Sequence, residues 1–258
     1  MLTIFLTLMQ IATFNVFAFE SPTKSFNNAG ENSTNKMLLQ AVTMGKFVDV
    51  QRLLQQDADP DATTQDSNQR SALILSSAAG HEKIVKALLL KGADINYKDS
   101  AGLSALSWST MRRKNKVAKQ LLMANANVNT TDKNGVTPLM YAVATHNIEL
   151  LRLFTIKGAN LNAISKTTKM TPLLIAVETQ DIKAIFTLLK LGADIDATND
   201  QGYSALMAAS ETGYINIVRA LIAQGANTQS KDIKGMTALM FARKNRHIQI
   251  EKLLIEQN

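Results

Sequence analysis

The sequence predicts an all-α solenoid of about seven helix-turn-helix repeats joined by short hairpin-like turns. Three observations carry this. First, one phrase recurs six times: Ser71-Ala72-Leu73, Ser104-Ala105-Leu106, Thr137-Pro138-Leu139, Thr171-Pro172-Leu173, Ser204-Ala205-Leu206 and Thr237-Ala238-Leu239, with starts 33, 33, 34, 33 and 33 residues apart. Second, each phrase is followed by a second apolar stripe at helical spacing, such as Ile84, Val85, Leu88 and Leu89, or Ile217, Val218, Leu221 and Ile222. Third, the second stripe closes on Gly92-Ala93-Asp94, Gly158-Ala159-Asn160, Gly192-Ala193-Asp194 or Gly225-Ala226-Asn227. A fixed period in this range builds a row of small units, each burying its apolar face on the next.

Each element follows from local chemistry. The Ser or Thr opening each phrase is placed to cap a helix, its hydroxyl accepting from a first-turn amide. Pro138 and Pro172 follow at the first helical position, where a missing N–H costs nothing. Leu139 and Ala142, or Leu206 and Ala209, lie three apart and share a face, the small residue allowing close helix approach. Gly80 and Gly213 mark the break before the second helix. Where the closing glycine is missing, Asp57 and Asn125 stand instead, residue types that tolerate the left-handed conformation. The connecting stretches, such as Asn129 to Gly135, are short, polar and rich in turn formers.

The order of turn, T-P-L, helix and G-A-D-x-N resembles the ankyrin repeat over residues 33–258. The repeats fall at 33–65, 66–98, 99–131, 132–164, 165–199, 200–231 and 232–258. The first begins directly at its helix, Met37 to Ala41, as an N-terminal cap would, and Glu251, Lys252, Glu256 and Gln257 suit a polar C-terminal cap. The sequence departs from the family in two ways. The histidine often found after T-P-L is replaced by Ile74, Ser107, Met140, Leu174, Met207 and Met240. The turn glycine, kept as Gly102, Gly135, Gly202 and Gly235, is Gln69 in the second repeat and Lys169 in the fifth. The fifth repeat also carries an extra residue within Ser165–Met170, which is expected to reshape its turn.

The N-terminus is the second informative region. Residues 1–19 carry no charged side chain, and Val16 and Ala18 fit the small-residue rule for cleavage between Ala18 and Phe19. Residues 1–18 are therefore expected to form a signal peptide, and 19–32 a flexible polar linker. The rival reading is an uncleaved membrane anchor. Gln10, Thr13 and Asn15 interrupt the run against it, since about 20 apolar residues are wanted to span a bilayer. The expected address is periplasmic or secreted, with no stable membrane insertion after cleavage.

Composition narrows the function classes. The formal charge of +7 permits an acidic partner. Aromatic residues make up only 5%, low for a single-stranded nucleic-acid binder that works by stacking, so no nucleic acid is expected. Without cysteine there is no disulfide, thiolate site or cysteine nucleophile. His81, His146 and His247 are separated by whole repeats and lack metal-ligand spacing. There is no Walker-type phosphate loop and no H-E-x-x-H. Asp66, Asp99, Asp132, Asp200 and Asp232 are placed to start turns and do not pair as catalytic carboxylates. No catalytic residue, cofactor or metal is expected.

The resemblance implies a protein-binding surface on the turn tips and the concave side of the first helices. Carried over by position, it selects the column Leu75, Trp108, Tyr141, Ile175, Ala208 and Phe241. Trp108, the sole tryptophan, is either an aromatic anchor for a partner or packing between neighbouring first helices. Beside it, Met111, Arg112 and Arg113 open a basic stretch, with Thr145 and Glu178 at equivalent places further on and Lys98 and Lys133 at turn tips. The expected protein is a monomeric, exported, non-catalytic adaptor that binds another protein. The alternatives are a periplasmic chaperone-like scaffold supporting an enzyme, or a secreted effector that binds a host protein.

Overall fold

The computed structural model describes residues 33–257. The signal peptide, its cleavage point at Ala18–Phe19 and the linker lie outside the described residues. Fourteen helices form among the described residues, and no strand does. They alternate as first and second helices of successive repeats. First helices are α1 (Ser33–Thr43), α3 (Ala72–Ala79), α5 (Ala105–Met111), α7 (Pro138–Ala144), α9 (Pro172–Glu178), α11 (Ala205–Thr212) and α13 (Ala238–Lys244). Second helices are α2 (Phe47–Gln55), α4 (Glu82–Leu90), α6 (Asn115–Met123), α8 (Ile148–Ile156), α10 (Ile182–Lys190), α12 (Ile215–Ala223) and α14 (Ile248–Ile255).

The recurring hydroxyls start the helices. Ser71, Ser104, Thr137, Thr171, Ser204 and Thr237 each accept from the amide three residues on, at 3.1–3.3 Å. Positive-φ residues stop them. Asp57 and Asn125 adopt φ of 57° and 63° at the closing position where other repeats have glycine. The break between helices likewise takes Arg113, His146, Gln180 and Arg246 into that region. The turns carry isolated antiparallel bridges, Thr63–Ser71, Lys98–Ser104 and Thr198–Ser204, the hairpin-like geometry expected. In the fifth repeat Ser165 N donates to the Met170 carbonyl at 3.0 Å and Lys169 keeps a positive φ. The extra residue is thus taken up inside the turn, leaving the Thr171 cap in place.

The chain divides into two compact units, one ending at Tyr141 and the other beginning at Ala142. In the first, α1 packs on α3 and α3 on α5, while α2 packs on α4 and α4 on α6. In the second, α9 packs on α11 and α11 on α13, with α8 on α10 and α12 on α14 in the other layer. Each unit buries the apolar stripes between its layers: Leu73, Ile84, Leu88, Leu106 and Leu121 in the first, and Phe154, Leu173, Ile185, Leu206 and Leu221 in the second.

Two hydrogen-bond systems tie repeat to repeat. At the closing loops, Asp61, Asn96, Asn162 and Asp196 each accept, through a side-chain oxygen, from a backbone amide of the next repeat, at 2.7–3.1 Å. Those amides belong to Asp94, Asn127, Asp194 and Asn227, whose own side chains accept from the amide two residues on. At the turn tips, Ser100, Lys133 and Ile233 donate backbone bonds to Asn68, Ala101 and Gln201 of the preceding turn. Glycine is needed there at position 102: its φ is +81°, and a Cβ would come within 2.8 Å of the Lys133 nitrogen.

Candidate partner-binding face

The turn tips are built on acceptor side chains. Asp99 Oδ1 accepts from the amides of Ala101 and Leu103, and Asp132 Oδ1 from those of Asn134 and Val136. Asp232 repeats the pattern with Lys234 and Met236, and Asp66 accepts from Asn68 and Gln69. In the sixth repeat the expected Asp200 does not hold the turn. Asn199 accepts from Gln201 and Tyr203 instead, and Asp200 pairs with Lys169 at 2.9 Å. The turn-holding position lies one residue earlier there, and an amide oxygen accepts as well as a carboxylate does.

The second carboxylate oxygen turns inward. Asp99 Oδ2 accepts from Trp108 Nε1 at 2.8 Å, and Asp132 Oδ2 from the Tyr141 hydroxyl at 2.7 Å, each nine residues along. Trp108 is 1% exposed and Tyr141 3%, so both run between a turn and its own first helix. The other members of the column, Leu75, Ile175, Ala208 and Phe241, are buried too. Burial and the adjacent Asp132 carboxylate hold the Tyr141 phenol far above its ordinary range.

The basic stretch divides the same way. Met111 is buried. The Arg112 guanidinium lies 5.8 Å from the centroid of the Trp108 ring, and that of Arg70 4.6 Å from it. Arg70 Nε is also 3.9 Å from Asp99 Oδ2. Burial draws the Arg70 pKa below its ordinary value, and the Asp99 charge opposes that. Sequence reasoning missed Arg70, because it stands before the helix-capping Ser71 where side chains are normally solvated; the signal was an arginine one residue from a cap. Arg113 is exposed and holds a left-handed backbone, with φ of 57°. Lys98 and Lys133 are also exposed, and Lys98 Nζ donates across the turns to the Thr131 carbonyl at 2.9 Å. The structure therefore brings Trp108, Arg70 and Asp99 into one buried cluster with the half-buried Arg112 against it, and leaves Arg113, Lys98 and Lys133 at the surface of the first unit.

Thr145 and Glu178 belong to the second unit and are half-buried. Thr145 Oγ1 donates to the Ala142 carbonyl. Burial, with Glu211 adding repulsion, raises the Glu178 pKa above its ordinary 4.5. Glu211 accepts from the Tyr203 hydroxyl, and the Tyr203 ring meets Phe241 edge-on at 5.4 Å. A carboxyl whose folded pKa is raised favours folding below its unfolded pKa and loses that contribution as pH rises through the folded value. Glu178→Gln is therefore expected to raise the melting temperature at pH 7 slightly, by about 1–3 °C, because solvent screening of the half-exposed carboxyl keeps the effect under ~1 kcal/mol. The gain should vanish as pH falls below the ordinary glutamate value, which melting curves across that range would check.

The histidines do structural work in separate places. His81 covers Gly45, and His247 covers Gly213 while its Nε2 donates to the Glu211 carbonyl at 3.0 Å. His146 Nδ1 lies 2.8 Å from Asp181, which also caps α10. No three His, Asp or Glu side chains gather as metal ligands would among the described residues. None of the described helices is long and apolar enough to cross a membrane.

Capped helix pairs, turns zipped edge to edge and a closing loop tied to the next repeat define a repeat-protein interaction scaffold. The chain belongs to the ankyrin-repeat family: the family described as ankyrin repeats (3 copies) matches residues 9–99, 38–132, 106–199 and 173–258. Its fold is similar to the crystal structure of the ankyrin repeat domain of Bcl-3, described as a unique member of the IkappaB protein family. That match is 27% identical with a TM-score of 0.77, covering 87% of this chain and 100% of the other. The human ASB11 ankyrin repeat domain shares the fold at 24% identity and a TM-score of 0.70, covering 86% and 97%. No curated protein matches the sequence significantly. Ankyrin repeats are protein–protein interaction modules, and this chain is one of them.

Proposed function

We propose that this protein is an exported, non-catalytic adaptor that binds a partner protein through its turn tips and the accessible side of its first helices. The observation that carries the reading is the row of turns fixed by inter-turn backbone bonds, with Lys98 and Lys133 exposed on them and Arg113 exposed at the break after α5. A preorganised edge loses little freedom on binding, which favours recognition of a folded partner. The positive side chains suit an acidic patch, and rim charges of this kind act mainly on association rate. The buried Trp108 contributes by fixing Arg70, Arg112 and the Asp99 turn. Export is supported by the uncharged opening of residues 1–19 and the small residues Val16 and Ala18.

The test is a crosslinked pull-down from intact cells of origin with C-terminally tagged protein, followed by fractionation and N-terminal mass spectrometry. The expected result is a chain beginning at Phe19 with a dominant exported partner. Replacing Lys98, Lys133 and Arg113 together with glutamate should then weaken binding about tenfold at low salt and less at high salt. A chain retaining Met1 with cytosolic partners would overturn the address, and unchanged binding by the triple variant would overturn the site.

A further inference from the structure

We propose a second docking surface, on the second-helix side of the first unit, for an acidic amphipathic segment of a partner protein. Helices α4 and α6 lie side by side there and leave a groove of about 770 Å³. Its apolar part is Leu89, Leu90, Met123 and Ala124, and Leu90 and Met123 are each 77% exposed. Both occupy the last position of their helix, on the side away from the core stripe of Ile84, Val85 and Leu88 or Val117, Ala118 and Leu121. Core packing accounts for neither, and the two large apolar side chains face one recess.

Charge selects the occupant. Lys83, Lys86, Lys116 and Lys119 line the same groove, against one carboxylate, Glu82. Glu82 is already 3.7 Å from Lys116. A segment with apolar residues on one face and Asp or Glu along its flanks satisfies both features at once, the helix-in-groove mode of recognition. The nine-residue helices span about 13.5 Å, enough for two or three turns of such a segment. A recess between two parallel ridges fits a chain better than it fits the flat face of a bilayer. The same chemistry recurs independently in the second unit, where Ile148, Phe186 and Leu191 lie with Arg152, Lys183 and Lys190 between α8 and α10, with no acidic residue in the lining. This surface is distinct from the turn tips and does not depend on their binding anything.

The experiment is selection of a displayed library of random 16-residue peptides on the immobilised full chain, followed by titration of labelled winners. Two double variants are compared, Leu90→Glu with Met123→Glu and Lys86→Glu with Lys119→Glu; all four side chains lie outside the buried core, and circular dichroism melting checks the fold. Enriched peptides should carry Asp or Glu beside apolar residues at helical spacing. Their affinity should fall about tenfold or more in either double variant, while Lys98→Glu with Lys133→Glu leaves it unchanged. A twin peptide with lysine for each acid should not bind. Three results would overturn the proposal: no acidic amphipathic family among the winners, affinity untouched by both groove variants, or co-sedimentation of the chain with phosphatidylglycerol vesicles through these residues in place of peptide binding.

Discussion

Replacing Asp99 with alanine is expected to destabilise the first unit by about 3–5 kcal/mol, the cost of breaking a buried charged network from one side. One carboxylate there serves two backbone amides, the indole of Trp108 and the Arg70 guanidinium. Its loss unlatches the turn from its helix and leaves the Trp108 N–H without an acceptor in the interior. Asp99→Asn, which keeps an acceptor but not the charge, should cost less, and Trp108→Phe less again. Urea unfolding followed by Trp108 fluorescence reads the first two directly, because it is the sole tryptophan and lies inside the cluster. Circular dichroism serves for the third. An Asp99→Ala midpoint within error of the parent would show that the turn is held by its backbone bonds alone.

Phe154→Ala is expected to cost a similar amount, about 3–5 kcal/mol, through the cavity it opens in the second unit. The side chain is fully buried in α8. Phe186 of α10 is the control: it is 42% exposed, and its removal should cost under ~1 kcal/mol. Repeat arrays interact mainly between neighbours, so damage placed in one unit need not spread evenly. Far-UV circular dichroism should move to lower urea in Phe154→Ala by more than Trp108 fluorescence does, since Trp108 reports on the first unit. Coincident shifts of both signals would show that the array unfolds as one cooperative body.

The repeat architecture was legible because it rests on local rules. The capping hydroxyls, the prolines at helix starts and the Asp57 and Asn125 substitutions each act within a few residues of themselves. The binding column was harder to read. Trp108 and Tyr141 sit at positions that would be exposed on a lone helix; what buries them is a turn aspartate nine residues earlier and, for Trp108, an arginine from the preceding repeat. Pattern alone does not say that Asp99 and Asp132 spend their second oxygen inward. Asp200 misled for a related reason: Asn199 beside it accepts equally well, and only the register of the turn decides between them. The lysine-rimmed groove escaped notice because Lys83, Lys86, Lys116 and Lys119 read individually as ordinary solvated positions; their meeting depends on α4 and α6 lying side by side.

The side-chain acceptors at Asp61, Asn96, Asn162 and Asp196 have a consequence for how such a gene can change. Each offers an oxygen forward, and the next repeat offers the matching amide back. The two halves of the joint are the same at each of these boundaries, so duplication or deletion of one whole period rejoins a donor to an acceptor and orphans neither. A duplication out of phase strands one of each and exposes a helix face as well. Array length is then a variable that inheritance can alter in steps of one period, with the end repeats carried along unchanged.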